Sequence, residues 1–204
     1  MIAVIDYGAG NLRSVTNALT KLGFHPRLTN KPGEVLNAKA VILPGVGAAP
    51  DAMHNLKELG LADAVRQIIL ERRPFFAICV GMQILLSSTE EGGQCECLGV
   101  IPGVVKRLPS GVKVPHMGWN QVKQRVKHSL FEGIPDEANF YFVHSYYAAP
   151  EDSSVVAGTT EYAISFCSVL IKDNLVATQF HPEKSGELGL KMYVNFLRLA
   201  GVKE

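Results

Sequence analysis

The sequence predicts an α/β fold: a single domain over residues 1–204, with a central, mostly parallel sheet flanked by helices and an antiparallel extension. In the N-terminal half, short apolar runs alternate with helical patterns, which is typical of a parallel sheet with helices on both faces. From about residue 98 to 178 the pattern changes to short extended runs separated by Gly, Pro and Asn. That half is therefore expected to be mostly antiparallel.

Apolar spacing gives the elements of the N-terminal half in order. The expected elements are a strand at 2–6, a helix at 11–22, strands at 24–29 and 40–43, helical segments across 51–71 with a break near Gly60, and a strand that ends at Cys79. In the first helix, Leu12, Val15 and Leu19 lie on one helical face. After Cys79, a helical pattern is expected to run through Leu86.

The C-terminal half is predicted from shorter signals. Its strands are expected to extend or flank the parallel sheet, and an amphipathic helix is expected to close the chain. The strands include 104–107, 140–143 and 169–171, and the helix covers 186–200. Cys167 lies in an apolar segment and is expected in the core. Trp119, next to a glycine and an asparagine, is expected in a turn.

Composition excludes several classes of function. The formal net charge of +1 gives no reason to expect a nucleic-acid or membrane surface. No apolar run approaches the roughly 18 residues needed to span a bilayer. The chain begins directly with a strand rather than a signal peptide, and its four cysteines show no repeated spacing. We therefore expect reduced thiols and a cytoplasmic location.

Two further patterns suggest a cofactor or a metal, and neither is complete. Gly8-Ala9-Gly10 follows the first strand, but Arg13 occupies the place of the third glycine of a dinucleotide fingerprint, and no acid follows about 20 residues on. Cys95 and Cys97 are closer together than usual zinc ligands, and no second pair exists. We expect neither a cofactor nor a metal. The glycine-rich turn is still expected at the functional edge of the sheet.

Residues 75–83, Phe-Phe-Ala-Ile-Cys-Val-Gly-Met-Gln, are typical of a sharp turn from a strand into a helix. The apolar run ends at Cys79, and the small residues Ala77 and Gly81 stand two positions before and after it. Such a turn places the sulfur at a helix N-terminus, which favours the thiolate. Cys79 is therefore a candidate nucleophile, although an inert cysteine at the end of a strand is the local alternative.

The tripeptide His181-Pro182-Glu183 supports the nucleophile. It follows a short strand, and Pro182 biases His181 toward extended backbone. Residues two apart in an extended chain point to the same face, so Glu183 can orient the His181 imidazole while the imidazole activates a nucleophile. Together with Cys79 they form a predicted Cys-His-Glu triad.

Attack on a carbonyl needs two hydrogen-bond donors for the developing oxyanion. The backbone amide of Val80, next to the nucleophile, is one candidate. The other is the amide of Val46 in Pro44-Gly45-Val46-Gly47, a flexible loop that follows a strand on the same sheet edge. The alternative for this loop is a plain turn before a helix.

These motifs resemble those of the class I (triad) glutamine amidotransferases, and the similarity covers essentially the whole chain. The resemblance implies a flavodoxin-like fold. Within the family, four blocks are similar to the glutaminase subunits of imidazole glycerol phosphate synthases. They are Asp6-Tyr7-Gly8-Ala9-Gly10-Asn11-Leu12-Arg13-Ser14, Pro44-Gly45-Val46-Gly47, Pro115-His116-Met117-Gly118-Trp119-Asn120 and Phe142-Val143-His144-Ser145-Tyr146. Ala77 departs from the family, which more often has glycine there.

The resemblance implies hydrolysis of glutamine to glutamate and ammonia. Cys79 would attack the side-chain amide, His181 would protonate the departing ammonia, and water would release glutamate. The residues implied to hold the glutamine are Gly47, Gln83, Glu91, Ser145 and Tyr146. Glu91 suits the α-ammonium group of the substrate, and its alternative is a solvated acid in the Glu90-Glu91 pair.

Ammonia released into neutral water is mostly protonated, so an acceptor site must lie close by. The sequence offers no phosphate loop, second domain or basic cluster for one. The resemblance implies a partner, a cyclase subunit of barrel fold that receives ammonia through an internal passage and makes imidazole glycerol phosphate in histidine biosynthesis. The residues implied at the docking surface are Gly10, Asn11, His116, Trp119 and Tyr141. For the lone tryptophan, core packing is the alternative.

Other functions on the same scaffold remain open at this point. A free-standing peptidase or γ-glutamyl hydrolase would work without a partner and would not need the block at 115–120. The glutaminase of pyridoxal phosphate synthesis is of similar size but lacks the His-Met-Gly-Trp-Asn sequence. A non-catalytic regulatory subunit would have no use for all three triad groups.

Overall fold

Thirteen strands and six α-helices occur within residues 1–202, the part of the chain that the computed structural model describes. The strands are β1 (Ile2–Ile5), β2 (Pro26–Thr29), β3 (Ala40–Leu43), β4 (Phe75–Ile78), β5 (Ser88–Thr89), β6 (Cys95–Glu96), β7 (Gly103–Arg107), β8 (His116–Gln124), β9 (Ala138–His144), β10 (Tyr146–Pro150), β11 (Val156–Tyr162), β12 (Ile164–Lys172) and β13 (Leu175–Thr178). The helices are α1 (Leu12–Lys21), α2 (Pro32–Leu36), α3 (Ala49–Glu58), α4 (Leu61–Leu70), α5 (Val80–Gln83) and α6 (Gly186–Leu199). Short 3₁₀ turns lie at Ser129–Phe131, Ser153–Val155 and Pro182–Lys184.

The strands form one large and one small sheet. The large sheet has the order β2-β1-β3-β4-β13-β12-β11-β8-β9, and the small one β10-β7-β5-β6. The first five strands of the large sheet pair in parallel, and the remaining pairings are antiparallel. The predicted fold class, a parallel sheet with an antiparallel extension, is confirmed.

The core lies on both faces of the parallel strands. Strands β1, β3, β4 and β13 are buried along their whole length, which explains their unbroken apolar sequences. On one face, Phe76 packs between Tyr193 and Phe196 of α6, with ring centroids 5.5 and 5.1 Å away. Cys167 is buried in β12, as expected. No helix within residues 1–202 is long and apolar enough to cross a bilayer.

The helix after Cys79 is shorter than the sequence pattern suggests. It ends at Gln83, and the residues that follow form turns. The backbone carbonyls of Ile84, Leu85 and Leu86 accept hydrogen bonds from amides of residues 98–101. Because the amides of the loop at 98–101 occupy these carbonyls, the carbonyls cannot accept further helical hydrogen bonds and the helix ends.

Trp119 lies within a strand rather than in the expected turn. It belongs to β8 and stands opposite Tyr141 in the antiparallel pairing with β9. Gly118 has a φ of 136° and stands opposite Phe142. The glycine that favours a turn in the sequence is therefore accommodated inside a strand.

The carboxyl ends of the four central parallel strands meet at one edge. The segments that follow them are the glycine-rich turn after β1, the Pro44–Gly47 loop after β3, Cys79 after β4, and Gln179 to Glu183 after β13. In open α/β sheets this edge is where ligands bind. The fold thus brings together groups from four distant parts of the chain.

Candidate active site

Cys79 occupies a sharp, strained turn between β4 and α5. Its φ is 54° and its ψ is −110°, a conformation that residues other than glycine rarely adopt. Its amide donates to the Thr178 carbonyl at 2.7 Å, and its carbonyl accepts from the Gln83 amide at 3.1 Å. A Cβ on Gly81 would lie 2.4 Å from the Leu43 carbonyl oxygen, so only glycine fits there. These contacts hold the strain in place, as is common at functional sites.

His181 and Glu183 form a buried pair beside this turn. Nδ1 of the imidazole donates to Oε1 of the carboxylate at 2.9 Å, and both side chains are 1% exposed. The backbone geometry differs from the expected extended chain, because Pro182–Lys184 is a 3₁₀ turn. The turn is held by the Ser185 hydroxyl, which donates to the His181 carbonyl at 2.6 Å.

The charges around His181 favour its protonated form. Burial alone would lower its pKa, but interactions with Cys79 and Glu183 outweigh it and raise the pKa to about 10. Burial, and then the charge of Glu183, raise the pKa of Tyr193 well above its ordinary value, so Glu183 faces a neutral phenol on α6. Within residues 1–202, Nε2 of His181 has no hydrogen-bond partner. His181 also lines a cavity that it shares with Cys79.

A cavity of about 230 Å³ brings most of the expected site residues together. It is smaller than the pockets that hold drug-sized ligands, so it suits a smaller molecule. Its lining includes Cys79, His181, Val46, Val80, Gly47, Gln83, Glu91, Ser145 and Tyr146. Glu183 stands behind His181 and does not line it.

The Pro44–Gly47 loop packs backbone to backbone against the turn at Cys79. A Cβ on Gly45 would lie 2.2 Å from the Gly81 nitrogen. Below the loop, burial and then the Cys79 sulfur raise the pKa of Tyr7, while the Val46 backbone amide opposes the rise. The Tyr7 hydroxyl forms no hydrogen bond of ordinary geometry within residues 1–202. The loop thus lies directly against the turn that carries Cys79, and Val46 lines the same cavity as Cys79.

Glu91 is half-buried rather than a solvated surface acid. Its Oε2 accepts from the backbone amide of Ala49, at the start of α3, at 2.8 Å. An acid at a helix N-terminus is stabilised by the exposed amides and the helix dipole. The contact fixes Glu91 at the cavity wall and leaves its second oxygen without a hydrogen bond to the described residues.

The expected docking residues fall into two groups on the outer surface. Trp119 is 58% exposed, and its ring meets Tyr141 edge-on with centroids 6.1 Å apart. The Lys184 ammonium lies 5.9 Å from the centre of the Tyr141 ring. Gly10 and Asn11, both half-buried, follow β1, where Gly10 packs against Pro44.

His116 does not belong to this surface. It is only 4% exposed, and its ring is stacked between Tyr162 and Phe142, with centroids 4.0 and 5.0 Å away. Its Nδ1 lies 2.9 Å from Nε2 of His144. Residues three apart on a strand point to opposite faces, so His116 and Trp119 cannot share one. The expectation of a docking contact for the His116 side chain is corrected accordingly.

Sequence reasoning missed Gln179. It is fully buried, and its Nε2 lies 3.6 Å from the Cys79 sulfur. The available signal was a lone amide in the apolar run 175–180. Buried polar side chains are normally hydrogen-bonded, which makes such a residue a site candidate.

Fold and site together define an α/β protein in which a cysteine at a strand-to-helix turn shares a cavity with a histidine that is hydrogen-bonded to a buried glutamate. The sequence profile of class I glutamine amidotransferases matches residues 3–199. The chain belongs to that family. A solved structure described as a glutamine amidotransferase shares the fold, with a TM-score of 0.78 at 22% identity and coverage of 99% of this chain and 100% of that one.

Similar proteins of known name point to one kind of subunit within this family. Imidazole glycerol phosphate synthase subunit HisH from Dehalococcoides mccartyi is 59% identical over 200 residues, which cover 98% of each chain. The HisH subunit from Moorella thermoacetica is 53% identical over 195 residues, covering 96% of this chain and 93% of that one. The chain is thus similar over its whole described length to HisH subunits.

Proposed function

We propose that this chain is the glutamine-hydrolysing subunit of an imidazole glycerol phosphate synthase and acts as one glutamine amidotransferase domain over residues 1–204. The observation that carries the proposal is the strained Cys79 turn, which shares one small cavity with His181, itself hydrogen-bonded to the buried Glu183. The similarity to HisH subunits over 98% of the chain supports the particular reaction.

In the proposed reaction, the Cys79 thiolate attacks the side-chain carbonyl carbon of glutamine. A carbon–sulfur bond forms, and the carbonyl electron pair moves onto oxygen. As the tetrahedral species collapses, the carbon–nitrogen bond breaks, and Nε2 of His181 gives its proton to the departing nitrogen. The raised pKa of His181 keeps that proton available at neutral pH. Water activated by the then neutral imidazole hydrolyses the thioester to glutamate.

The oxyanion is proposed to bind the backbone amides of Val80 and Val46. Val80 follows the nucleophile and begins α5. Val46 lines the same cavity as Cys79. We infer that the Val46 peptide must rotate to point its amide at the oxyanion and that docking of the partner causes this rotation.

The cavity residues are proposed to hold the substrate. The free oxygen of Glu91 is suited to the α-ammonium group, because its other oxygen is bound by Ala49. Gln83, Ser145 and Tyr146 also line the cavity, as does Gly47 of the loop. Polar residues at several places in a small cavity suit glutamine, which has its α-amino and carboxylate groups at one end and a side-chain amide at the other.

The partner is proposed to be the cyclase subunit, which would accept ammonia through an internal passage. Trp119 and Tyr141 form an exposed aromatic pair, a type of residue that is enriched at interfaces. Gly10 and Asn11 lie at the carboxyl edge of the sheet, beside the Pro44–Gly47 loop that must move. Because this function is biosynthetic, we infer a cytoplasmic location.

The test is reconstitution of the chain with the cyclase and its nucleotide substrate. Cys79→Ala should abolish glutamine-dependent synthesis and leave ammonia-dependent synthesis intact. Cys95→Ala, which removes a half-exposed thiol that does not line the cavity, should change neither. Equal loss of both activities in Cys79→Ala would overturn the assignment. Full glutamine hydrolysis without the cyclase would instead favour a free-standing hydrolase.

A further inference from the structure

Two buried side chains converge on the backbone carbonyl of Tyr146. Nε2 of Gln83 donates to its oxygen at 2.7 Å, and Nδ1 of His144 lies 2.9 Å from it. A carbonyl oxygen only accepts hydrogen bonds, so both groups that face it must carry hydrogen. This one acceptor therefore fixes the orientation of the Gln83 amide and places a proton on Nδ1 of His144.

The His144 proton determines the tautomer of a second histidine. Burial lowers the pKa of His144 to about 3 and that of His116 to about 4, so both rings are neutral at physiological pH. With Nδ1 protonated, Nε2 of His144 must accept, and Nδ1 of His116 donates to it across 2.9 Å. Nε2 of His116 then accepts from the side-chain amide of Asn120 at 3.2 Å. Asn120 is fixed in turn by a 3.0 Å bond to the Glu161 carbonyl.

The Gln83 amide orients a second glutamine in the same way. Its Nε2 also lies 3.1 Å from Oε1 of Gln179. Because that oxygen must face the Gln83 donor, the NH₂ group of Gln179 faces the Cys79 sulfur, 3.6 Å away. Both glutamine side chains are buried, so water does not compete for these contacts. The Tyr146 carbonyl thus orients the Gln83 amide, and Gln83 in turn orients the NH₂ group of Gln179 toward the Cys79 sulfur.

The two hydrogen-bond partners of the sulfur favour different protonation states. The Val143 carbonyl, 3.8 Å away, can only accept and so suits the thiol. The Gln179 N–H can only donate, and hydrogen bonds to an ionised acceptor are the stronger kind. The Gln179 contact therefore favours the thiolate, which is the attacking species.

We propose that Gln179 is a further catalytic residue, which donates a hydrogen bond to the Cys79 sulfur and stabilises its thiolate. Gln83 is the positioning residue that holds the Gln179 amide in the donating orientation, and the Tyr146 carbonyl orients Gln83 in turn. The inference rests on the proposed role of Cys79 as nucleophile. It gives Gln83 a task besides contact with the substrate.

The test measures the alkylation of Cys79 by iodoacetamide in the complex with the cyclase, followed by mass spectrometry of the Cys79 peptide across pH. Gln179→Glu keeps the size of the side chain and an acceptor for Gln83 but presents an oxygen to the sulfur. We expect the alkylation rate at neutral pH to fall roughly 10- to 100-fold, and the midpoint of its pH profile to rise by about one unit or more. Gln94→Glu, in an exposed loop, is the matched control and should leave the profile unchanged.

Two further variants keep the proposal falsifiable if Gln179→Glu unfolds. Gln179→Met removes the donor without adding charge and should shift the profile in the same direction by less. Gln83→Met removes the amide that orients the Gln179 side chain and should also shift the profile partially. Folded Gln179 variants with a wild-type alkylation profile would overturn the proposal, even if they had lost glutaminase activity. Failure of the proposed function is a separate result, namely glutamine-dependent synthesis that survives in Cys79→Ala.

Discussion

Gly45→Ala is the substitution with the most direct expected effect on the proposed oxyanion site. Gly45 is not in the left-handed region of backbone space, so an alanine there carries no conformational strain of its own. Its methyl group would lie 2.2 Å from the Gly81 nitrogen and 2.9 Å from Cβ of Val80. Both neighbours belong to the turn that holds Cys79, which cannot give way easily. The Pro44–Gly47 loop must therefore retreat.

The size of the retreat follows from ordinary contact distances. A methyl group rests against a backbone atom at no less than 3.4 Å, so the loop must move by about 1 Å. A displacement of that size at a reacting centre costs about 100-fold in rate, and removal of one oxyanion donor costs about 100- to 1,000-fold. We expect kcat for glutamine to fall by about 100-fold or more. Overpacking should also lower the free energy of unfolding by about 1–3 kcal/mol.

The assay is glutamine-dependent turnover by the reconstituted complex, with ammonia-dependent turnover measured in parallel. The ammonia-dependent rate should not change, because the cyclase does not depend on the loop. Gly33→Ala, at an exposed glycine in α2 with no atom within 4 Å of the added methyl, controls for loss of a glycine. A folded Gly45→Ala variant with wild-type kcat would refute the idea that this contact places the Val46 amide.

Two other predictions concern acid stability and docking. Burial lowers the pKa of His116 to about 4 and that of His144 to about 3. Both histidines are therefore protonated near pH 6.5 in the unfolded chain but only at lower pH in the folded chain. The free energy of unfolding should fall between pH 6.5 and 4 by up to about 1.4 kcal/mol per pH unit per histidine. Urea denaturation at a series of pH values measures this dependence, and replacement of both histidines by glutamine should make it shallower. Trp119→Ala should weaken cyclase binding by about 30-fold or more in calorimetry, while Leu70→Ala, on the exposed side of α4, should not.

Each of these two has a result that contradicts it. If the free energy of unfolding fell as steeply with decreasing pH in the doubly substituted chain as in the wild type, other groups would be taking up the protons. Unchanged cyclase affinity in Trp119→Ala, with a melting temperature equal to that of the wild type, would place the docking surface elsewhere.

The turn at Cys79 was predictable because its requirements are local. A sharp turn needs small neighbours, and Ala77 and Gly81 stand at the required positions in the sequence itself. The parallel half of the sheet was predictable for a similar reason, since strands buried on both faces read as continuous apolar runs. Both follow from residues within a few positions of each other.

Other features depend on distant partners and could not be predicted in this way. The end of α5 at Gln83 is set by a loop at 98–101, whose amides bind the carbonyls of residues 84–86 just beyond the helix. The contact of Gln179 with the sulfur depends on Gln83, 96 positions earlier, and on a backbone carbonyl at Tyr146. The burial of His116 followed only once β8 was known to be a strand, because strand alternation separates it from Trp119.

The strand that carries Tyr141 has a consequence for how this protein can change over time. The Tyr141 carbonyl accepts from the amide of His181 at 2.9 Å, its amide donates to the Ser185 hydroxyl at 3.0 Å, and its ring meets the exposed Trp119. One residue thus supports His181 through its backbone and shapes the outer surface with its side chain. Because both hydrogen bonds use backbone atoms of Tyr141, a lineage could replace the ring to suit a different partner and keep the support of His181. The outer surface can therefore change without a change at the proposed proton donor.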